Sequence, residues 1–303
     1  MTIYDAIRPL LPTGLVLADE PMARHTSFKI GGPAEVYVTP ENTQQLSTIW
    51  QACQQAGHPI TVLGDGCNVL VADEGIKGVV IATNRMNNIE TNAPYITAGS
   101  GTRLARLAET ACKAGLAGLE FASGIPGTVG GAVFMNAGAY GYEIKDICES
   151  VEVLQPDSRI LSYARKLLGF GYRTSRFQYE NTVITAARFK LAPGNPEDIR
   201  AKMNDLNSRR RNTQPLDYPS AGSAFKRPAK EGVYAAKLIE DSGLKGFTVG
   251  GAQISEKHAG FIVNKGNATA ADVQALMKAV REKVHQASGI WLEPEVQLLG
   301  FSN

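Results

Sequence analysis

GIPGTVGGAVFMNAGAYG (residues 124–141) sets six glycines (Gly124, Gly127, Gly130, Gly131, Gly138 and Gly141) and Asn136 in a stretch without a charged residue. Each glycine in regular structure costs roughly 0.5–1 kcal/mol relative to alanine, so a backbone this bare is expected where something must approach it closely. Two further bare turns precede it: FKIGGPA (28–34), and LGDGCNVLV (63–71), where Gly64 and Gly66 bracket Asp65 and Asn68 follows three residues later. In the second turn, backbone N–H groups can converge on one point, as in an anion nest suited to a pyrophosphate. Taken alone, either turn also reads as an ordinary connection. LGDGCNVLV is neither a Walker A loop, since no GK[ST] follows, nor a dinucleotide GxGxxG opening a helix. Three such elements within the first 141 residues exceed what turns alone require and imply a large flat or phosphorylated ligand.

The surroundings are those of an ordinary globular protein. The chain has 303 residues, 44% hydrophobic and 20% charged, enough for two or three packed units. Lys+Arg 31 against Asp+Glu 29 leaves a formal charge of +2, which argues against wholesale coating of nucleic acid or of an anionic membrane; any anion site is local. Cys53, Cys67, Cys112 and Cys148 form no CxxC pair, which fits reduced thiols in a cytoplasm better than zinc or a disulfide framework. His25, His58 and His285 lack ligand partners, so no metal is expected. No stretch approaches the roughly 18 apolar residues of a membrane span, and no signal peptide opens the chain; a cytosolic protein is expected.

The periodicity predicts a mixed α+β chain. Strands are expected at AEVYVT (34–39), ITVLG, GVVIAT, YITAGSG, VEVLQ and TVITAARFKLAP, with helices at TQQLSTIWQACQQAG and TRLARLAETACKAG closed by Gly57 and Gly115. The Pro/Gly/Asn break at 193–196 is the expected domain boundary. Beyond it come a polar helix (PEDIRAKMNDLNSRRRNTQP), strands around GFTVGGAQI and AGFIVN, a helix opened by Thr269 with Asp272 three residues on and closed by Gly289, and a last strand, IWLEPEVQLLG. Arg209, Arg210 and Arg211 fall near a helix end, where cations complement the dipole, and read as mainly structural.

HTSFKIGGPAEVYV (25–38), LGDGCNVLV and GIPGTVGGAVFMNAGAYG, followed in order by YRTSRF (172–177), PSAGSAFKRP (219–228), GGAQISEKHAGFIVN (250–264) and LEPEV (292–296), resemble the UDP-N-acetylenolpyruvoylglucosamine reductase family over about residues 20 to 300. The resemblance implies a vanillyl-alcohol-oxidase/PCMH-type FAD-binding domain of two subdomains plus a C-terminal α+β substrate domain. The corresponding organisation is an N-terminal helical segment (1–24), an FAD-binding domain (25–194) and a substrate-binding domain (195–303). The implied cofactor is FAD, and the implied partners are a UDP-sugar and NADPH, with no nucleic acid, no membrane insertion and a monomeric state. The implied role lies in peptidoglycan precursor synthesis. Gly64, Asp65, Gly66, Cys67, Asn68, Ser123, Gly124, Ile125, Gly130, Gly131 and Asn136 become expected cofactor-binding residues.

The implied reaction sends hydride to the terminal carbon of an enolpyruvyl ether and leaves negative charge on the adjacent carbon and its carboxylate, which must be stabilised and then protonated. Arg173 corresponds to the family's active-site arginine and offers a planar fork suited to a carboxylate. Ser223 corresponds to its proton donor. In LEPEV, strand alternation puts Glu293 and Glu295 on one face; the family motif selects Glu295, with Glu293 in reserve. Tyr172, Lys226, Arg227, Lys237, Lys257 and His258 are expected around the substrate, the cations towards its diphosphate. The chain departs from the pattern at His25, where asparagine is common, at Cys67, where serine is common, and at Ala224, where larger residues are frequent. Without a long tyrosine-bearing insert between YRTSRF and PSAGS, it reads as the shorter form of the family. Two rivals stand beside this reading: an oxygen-using flavin oxidase, and a non-enzymatic binding module for FAD or a nucleotide sugar.

Overall fold

The computed structural model describes residues 2–301 and divides into two compact units, each discontinuous in sequence. The first comprises Met1–Ala18, Glu35–Asp65 and Gly78–Arg210; the second comprises Asp19–Ala34, Gly66–Lys77 and Arg211–Asn303.

Two cores build the first unit. The helix Thr43–Ala56 starts at Asn42, whose side chain accepts from Gln45 N, and stops at Gly57 in the left-handed conformation (φ +68°). Its apolar stripe, Leu46, Ile49, Trp50 and Cys53, is fully buried against Val36, Val38, Val79 and Ile81. Those valines and isoleucines belong to a sheet ordered Val16–Pro21, Pro33–Val38, Ile76–Ala82 and Ile60–Leu63, whose last two strands are parallel. A second sheet, antiparallel throughout, runs Ile160–Ala164, Cys148–Leu154, Val183–Lys190, Tyr95–Gly99 and Ile89–Asn92. Its inward residues, among them Ile96, Val151, Val153, Ala187 and Phe189, pack with Leu104, Leu107 and Ala111 of the helix Leu104–Lys113.

In the second unit an antiparallel sheet is ordered Ser220–Ser223, Phe261–Asn264, Ala252–Ile254 and Thr248–Val249. The helix Ala270–Ser288 buries Val273, Leu276, Val280 and Val284 in the same core as Ile254 and Ile262. Thr269 and Asp272 form the expected reciprocal capping box, and Gly289 closes the helix at φ +73°. Asp73 accepts from the main-chain N–H groups of Ala270 and Ala271 at 2.8 and 3.0 Å, satisfying two of the donors that a helix start leaves free. Among the described residues no helix is long and apolar enough to cross a membrane.

The structure differs from the sequence-based expectation at four places. Residues 1–24 hold only a short helix, Ile3–Ile7, with 3-10 turns, and supply the strand Val16–Pro21. The helix Pro196–Thr213, expected to open the C-terminal domain, lies up to Arg210 in the first unit, because Ile199, Met203 and Leu206 are buried in that unit's core. The bare stretch 124–141 is not wholly a loop: Val129–Phe134 is helical and contains Gly130 and Gly131. The expected terminal strand shrinks to Gln297–Leu299, parallel to Val69–Val71; residues 292–296 are irregular apart from a bridge between Pro294 and Phe225.

Burial also sorts the four thiols. Cys53, Cys112 and Cys148 are buried, and desolvation pushes the Cys53 thiol up to about 11 and that of Cys148 up to about 12; Cys67 is half-buried. A thiol reagent at mildly alkaline pH is therefore expected to label Cys67 alone in the native protein and all four cysteines after denaturation; rapid native labelling of a Cys67→Ala variant contradicts this.

Candidate active site

In the first unit, the bare segments meet around Thr128. A Cβ on Gly64 would collide with Thr128 Oγ1, and one on Gly130 would stand 3.0 Å from Ser100 Cβ. The main chain closes the same junction, with Val129 N donating to Thr102 O, Gly130 N to Ser100 O and Leu104 N to Gly127 O, at 2.8, 2.8 and 3.0 Å. A side chain on Gly101 would strike the main chain of Thr83 and Asn84. The glycines thus let main-chain segments lie side by side, the close approach for which glycine is suited.

Three buried side-chain oxygens at this junction have no hydrogen-bond partner: Asn84 Oδ1, Ser100 Oγ and Thr128 Oγ1. A buried polar atom left unmade costs about 1–3 kcal/mol, so three together mark a surface that a polar ligand completes. A dinucleotide rich in hydroxyl, imide and phosphate groups fits this donor set. Sequence reading missed all three residues, although Thr128 lies inside the stretch quoted at the outset. Of the expected cofactor residues, Asp65 is ion-paired with Arg103 at 3.0 Å. Ser123 is buried and donates to Glu120 O at 2.8 Å. Ile125 packs against the core, and Gly131 has open space beyond an ordinary contact with Thr128.

Arg173 occupies the tip of a tight turn. Gly171 and Thr174 exchange main-chain hydrogen bonds of 3.0 and 3.3 Å, with Tyr172 and Arg173 between them. Arg173 is left-handed (φ +54°), a conformation that favours glycine or asparagine in such a turn. Gln178 holds it there, its amide donating to Arg173 O (3.1 Å) and Phe134 O (2.9 Å). The guanidinium donates to Gly138 O at 3.3 Å and stands 5.0 Å from the ring centre of half-exposed Tyr172.

Asn136, expected against the cofactor, is fully buried and wholly engaged by protein groups. Its amide donates to Gly171 O (2.8 Å) and to Glu143 Oε2 (3.1 Å), while its oxygen accepts from Lys145 N (2.9 Å). The bare stretch therefore fastens the turn that carries Arg173.

In the second unit, Ser223 and Glu295 come together through the main chain. Ser223 ends a strand opposite Phe261; its neighbour Ala224 donates to Gly260 O (2.8 Å) and accepts from Glu295 N (2.9 Å). Both side chains are half-buried. Glu295 is fixed from its other side by Asn68, whose amide donates to Glu295 O at 3.1 Å and whose carbonyl accepts from Gln297 N at 2.9 Å. Gly66 is left-handed (φ +62°) and approaches the main chain of His25 so closely that a side chain would clash; Ser27 N donates to Gly66 O at 3.1 Å. The segment Gly66–Asn68, with half-buried Cys67 between, thus holds the glutamate's main chain in place. Glu293, the reserve candidate, has its side chain 76% exposed and reaches Lys226 at 3.7 Å.

The expected substrate cations are dispersed within this unit. Lys226 is half-buried beside Glu293, and Arg227 lies over the ring of Tyr234 at 4.5 Å. Lys237 is exposed and bonded to Asp241 (2.6 Å), a contact that raises its pKa, and Lys257 donates to Arg211 O (2.6 Å). The turn holding Lys257 and His258 is built on buried Ser255, whose hydroxyl accepts from both of their main-chain N–H groups. His258 Nδ1 accepts from Gly260 N at 3.1 Å, which selects the neutral ring protonated on Nε2, and burial lowers its pKa. It can donate a hydrogen bond but carries no charge at neutral pH.

Two outcomes follow from these contacts. Asn136→Ala leaves the Lys145 amide without its acceptor and takes from the Gly171 carbonyl one of its two donors, and is expected to destabilise the protein by about 2–4 kcal/mol in urea unfolding; an unchanged midpoint contradicts the assigned role. For His258, whose folded pKa lies below the unfolded value of about 6.5, the unfolded chain binds the proton more readily. Stability from this residue is complete above about 6.5 and is lost as pH falls through the folded pKa. His258→Gln is expected to flatten this acid-side decline in a series of melts.

Comparison with known proteins matches these features to one family. Residues 214–299 match the family model described as UDP-N-acetylenolpyruvoylglucosamine reductase, C-terminal domain, and residues 34–163 match that described as FAD binding domain. The UDP-N-acetylenolpyruvoylglucosamine reductase of Caldanaerobacter subterraneus subsp. tengcongensis is 46% identical over 298 residues, 98% of each chain, and that of Syntrophomonas wolfei 46% over 299 residues, 98% of this chain and 99% of the relative. The crystal structure of the Thermus caldophilus reductase superposes with a TM-score of 0.79 at 38% identity, covering 94% of this chain and 98% of that one. A variant of Phl p 4, a glucose oxidase, shares the fold alone, with a TM-score of 0.50 at 16% identity over 65% of this chain and 45% of its own. The α+β architecture is thus that of an FAD-binding domain joined to a reductase-specific C-terminal domain, and the chain belongs to the UDP-N-acetylenolpyruvoylglucosamine reductase family.

Proposed function

We propose that the protein reduces the enolpyruvyl group of UDP-N-acetylglucosamine enolpyruvate to the lactyl ether of UDP-N-acetylmuramate, with NADPH as electron source, in peptidoglycan precursor synthesis. Relatives 46% identical along nearly the whole chain carry the corresponding name. The observation that carries the reading is the main-chain bond from Glu295 N to Ala224 O, which ties the segment of Glu295 to the residue after Ser223, itself paired with Phe261.

FAD, when bound, would supply a two-electron hydride relay between NADPH and the terminal methylene carbon of the substrate. As that C–H bond forms, the double bond opens and its electron pair moves to the adjacent carbon and its carboxylate. Arg173 presents a planar guanidinium to the carboxylate, and Glu295 assists it in stabilising the enol form. The Ser223 hydroxyl gives its proton to the adjacent carbon and is reprotonated from solvent. Serine is a very weak acid, but a carbanionic carbon is basic enough to take its proton when the two are held in contact. Asn84, Ser100 and Thr128 would meet polar groups of the cofactor, on a wall of main chain that Gly64, Gly101 and Gly130 let close up.

The purified protein is expected to be yellow and to oxidise NADPH in the presence of the enolpyruvyl substrate. A colourless protein, or a yellow one indifferent to that substrate, overturns the reading; reoxidation that is fast in air and unaffected by the substrate favours an oxidase. In stopped-flow traces Ser223→Ala is expected to keep flavin reduction by NADPH near the parent rate while slowing reoxidation by substrate by about 100-fold or more. Equal loss in both half-reactions removes Ser223 as the proton donor.

A further inference from the structure

Ser27 uses its two donors on two different segments. Its main-chain N–H donates to Gly66 O at 3.1 Å, and its hydroxyl donates to Ser220 O at 2.6 Å, across 193 positions of sequence. The hydroxyl also lies 3.4 Å from Gly66 O, but that carbonyl already has the main-chain donor, so the single hydroxyl proton serves Ser220. The residue sits on a fixed base. Thr26 is buried and donates through its hydroxyl to Ile30 O at 2.9 Å; Phe28 is buried in the core shared with Ala221 and Ala224, and its carbonyl accepts from the Asn264 amide at 3.2 Å.

Those two bonds close a ring within the second unit. From Ser220 the chain runs to Ala224, whose carbonyl accepts from Glu295 N; Glu295 O accepts from the Asn68 amide; and Asn68 leads back through Cys67 to Gly66. The link at Ser220 is made where the sheet offers none. Ser220–Ser223 is the edge strand, and Asn264 N donates to Pro219 O, so the next carbonyl, that of Ser220, faces the free edge, where Ser27 meets it. Between the pairs Ser220 with Val263 and Ser223 with Phe261 the register is irregular, and Gly222 is left-handed (φ +76°) with open space where a Cβ would stand. An edge strand that leaves the ladder in this way aims Ser223 according to how its two ends are held.

We propose that Ser27 is a positioning residue for Ser223: its hydroxyl fixes the free edge of the strand at Ser220 and so sets the aim of the Ser223 hydroxyl. This inference rests on the reading of Ser223 as the proton donor. Proton transfer to carbon depends on close alignment of donor and acceptor, so a loosened edge slows the half-reaction that consumes the enolpyruvyl substrate and spares flavin reduction by NADPH.

The test uses the purified full-length holoprotein in stopped flow, one half-reaction at a time. Ser27→Ala keeps the main-chain bond to Gly66 and removes the link to Ser220 alone. It is expected to leave flavin reduction by NADPH within about twofold of the parent and to slow reoxidation by saturating substrate about tenfold, whereas Ser27→Thr, which keeps the hydroxyl, stays within about threefold in both. In the Ser223→Ala background, Ser27→Ala is expected to add no further slowing, since it acts through the hydroxyl already lost. Parent-like reoxidation in Ser27→Ala, or slowing that multiplies in the double variant, overturns the proposal. So does a variant that loses its fold or slows both half-reactions alike, because that outcome leaves Ser27 a purely structural part. Ser223→Ala that reoxidises at the parent rate overturns the proton-donor reading instead, so the two failures are distinguishable.

Discussion

Everything in the first unit's functional region depends on one steric constraint: main-chain segments must lie in contact around Thr128 with no Cβ between them. Gly64, Gly101 and Gly130 each face a neighbouring segment at a distance that an alanine would violate. Three glycines in ordered positions cost on the order of 2–3 kcal/mol in chain entropy. The return is a wall of main chain and short hydroxyls, with Asn84, Ser100 and Thr128 turning unpaired oxygens towards it. Larger side chains would screen those atoms from a flat ligand. The entropy of the glycines and the unmade hydrogen bonds of the hydroxyls are both costs in the free protein, and a polar ligand against the wall would offset the second.

The second unit solves a different problem, the fixing of two short segments, those of Ser223 and Glu295, by main-chain bonds. Ser223 ends a strand, and the residue after it is bonded on both sides, to Gly260 and to Glu295. Glu295 is in turn held by Asn68, so a segment expected to cradle phosphate also sets the height of the glutamate. Each bond is worth about 1 kcal/mol to stability, yet together they remove the freedom that would otherwise separate the serine from the carboxylate.

Helices and their ends were legible in the sequence because local rules decide them. The stripe Leu46, Ile49, Trp50, Cys53 and the stops at Gly57 and Gly289 stand where periodicity and capping place them. The division of the chain was not legible, since Asp19–Ala34 and Gly66–Lys77 join the second unit through long-range pairing, such as Val69–Val71 with Gln297–Leu299. The terminal strand was over-read because the alternation in LEPEV ignores Pro294, which cannot donate to a sheet ladder. At the candidate site, the motif residues Arg173, Ser223 and Glu295 were visible as strings. The hydroxyls of Ser100 and Thr128 were not, because an unpaired buried oxygen is a property of the fold and has no signature in sequence. The differing surroundings of the arginine triplet were hidden for a related reason: Arg209 pairs with Asp205 one turn away, whereas Arg210 lies against Gly124, far away along the chain.

Arg173 shows how such a site is kept in place. A left-handed arginine is strained by about 1–2 kcal/mol relative to the ordinary helical region. Gln178 offsets part of that by bonding Arg173 O, and Asn136 bonds Gly171 O at the start of the same turn. Glycine at position 173 would relieve the strain but would remove the guanidinium, and asparagine would shorten the reach. The positive φ falls at the second position of a two-residue turn, and the side chain there reaches Gly138 O and the ring of Tyr172. Gly138, whose carbonyl accepts from the guanidinium, belongs to the same bare stretch as Asn136. One segment thus supplies the wall, the anchor of the turn and a rest for the charge, which is why it carries six glycines and an asparagine and no charge of its own.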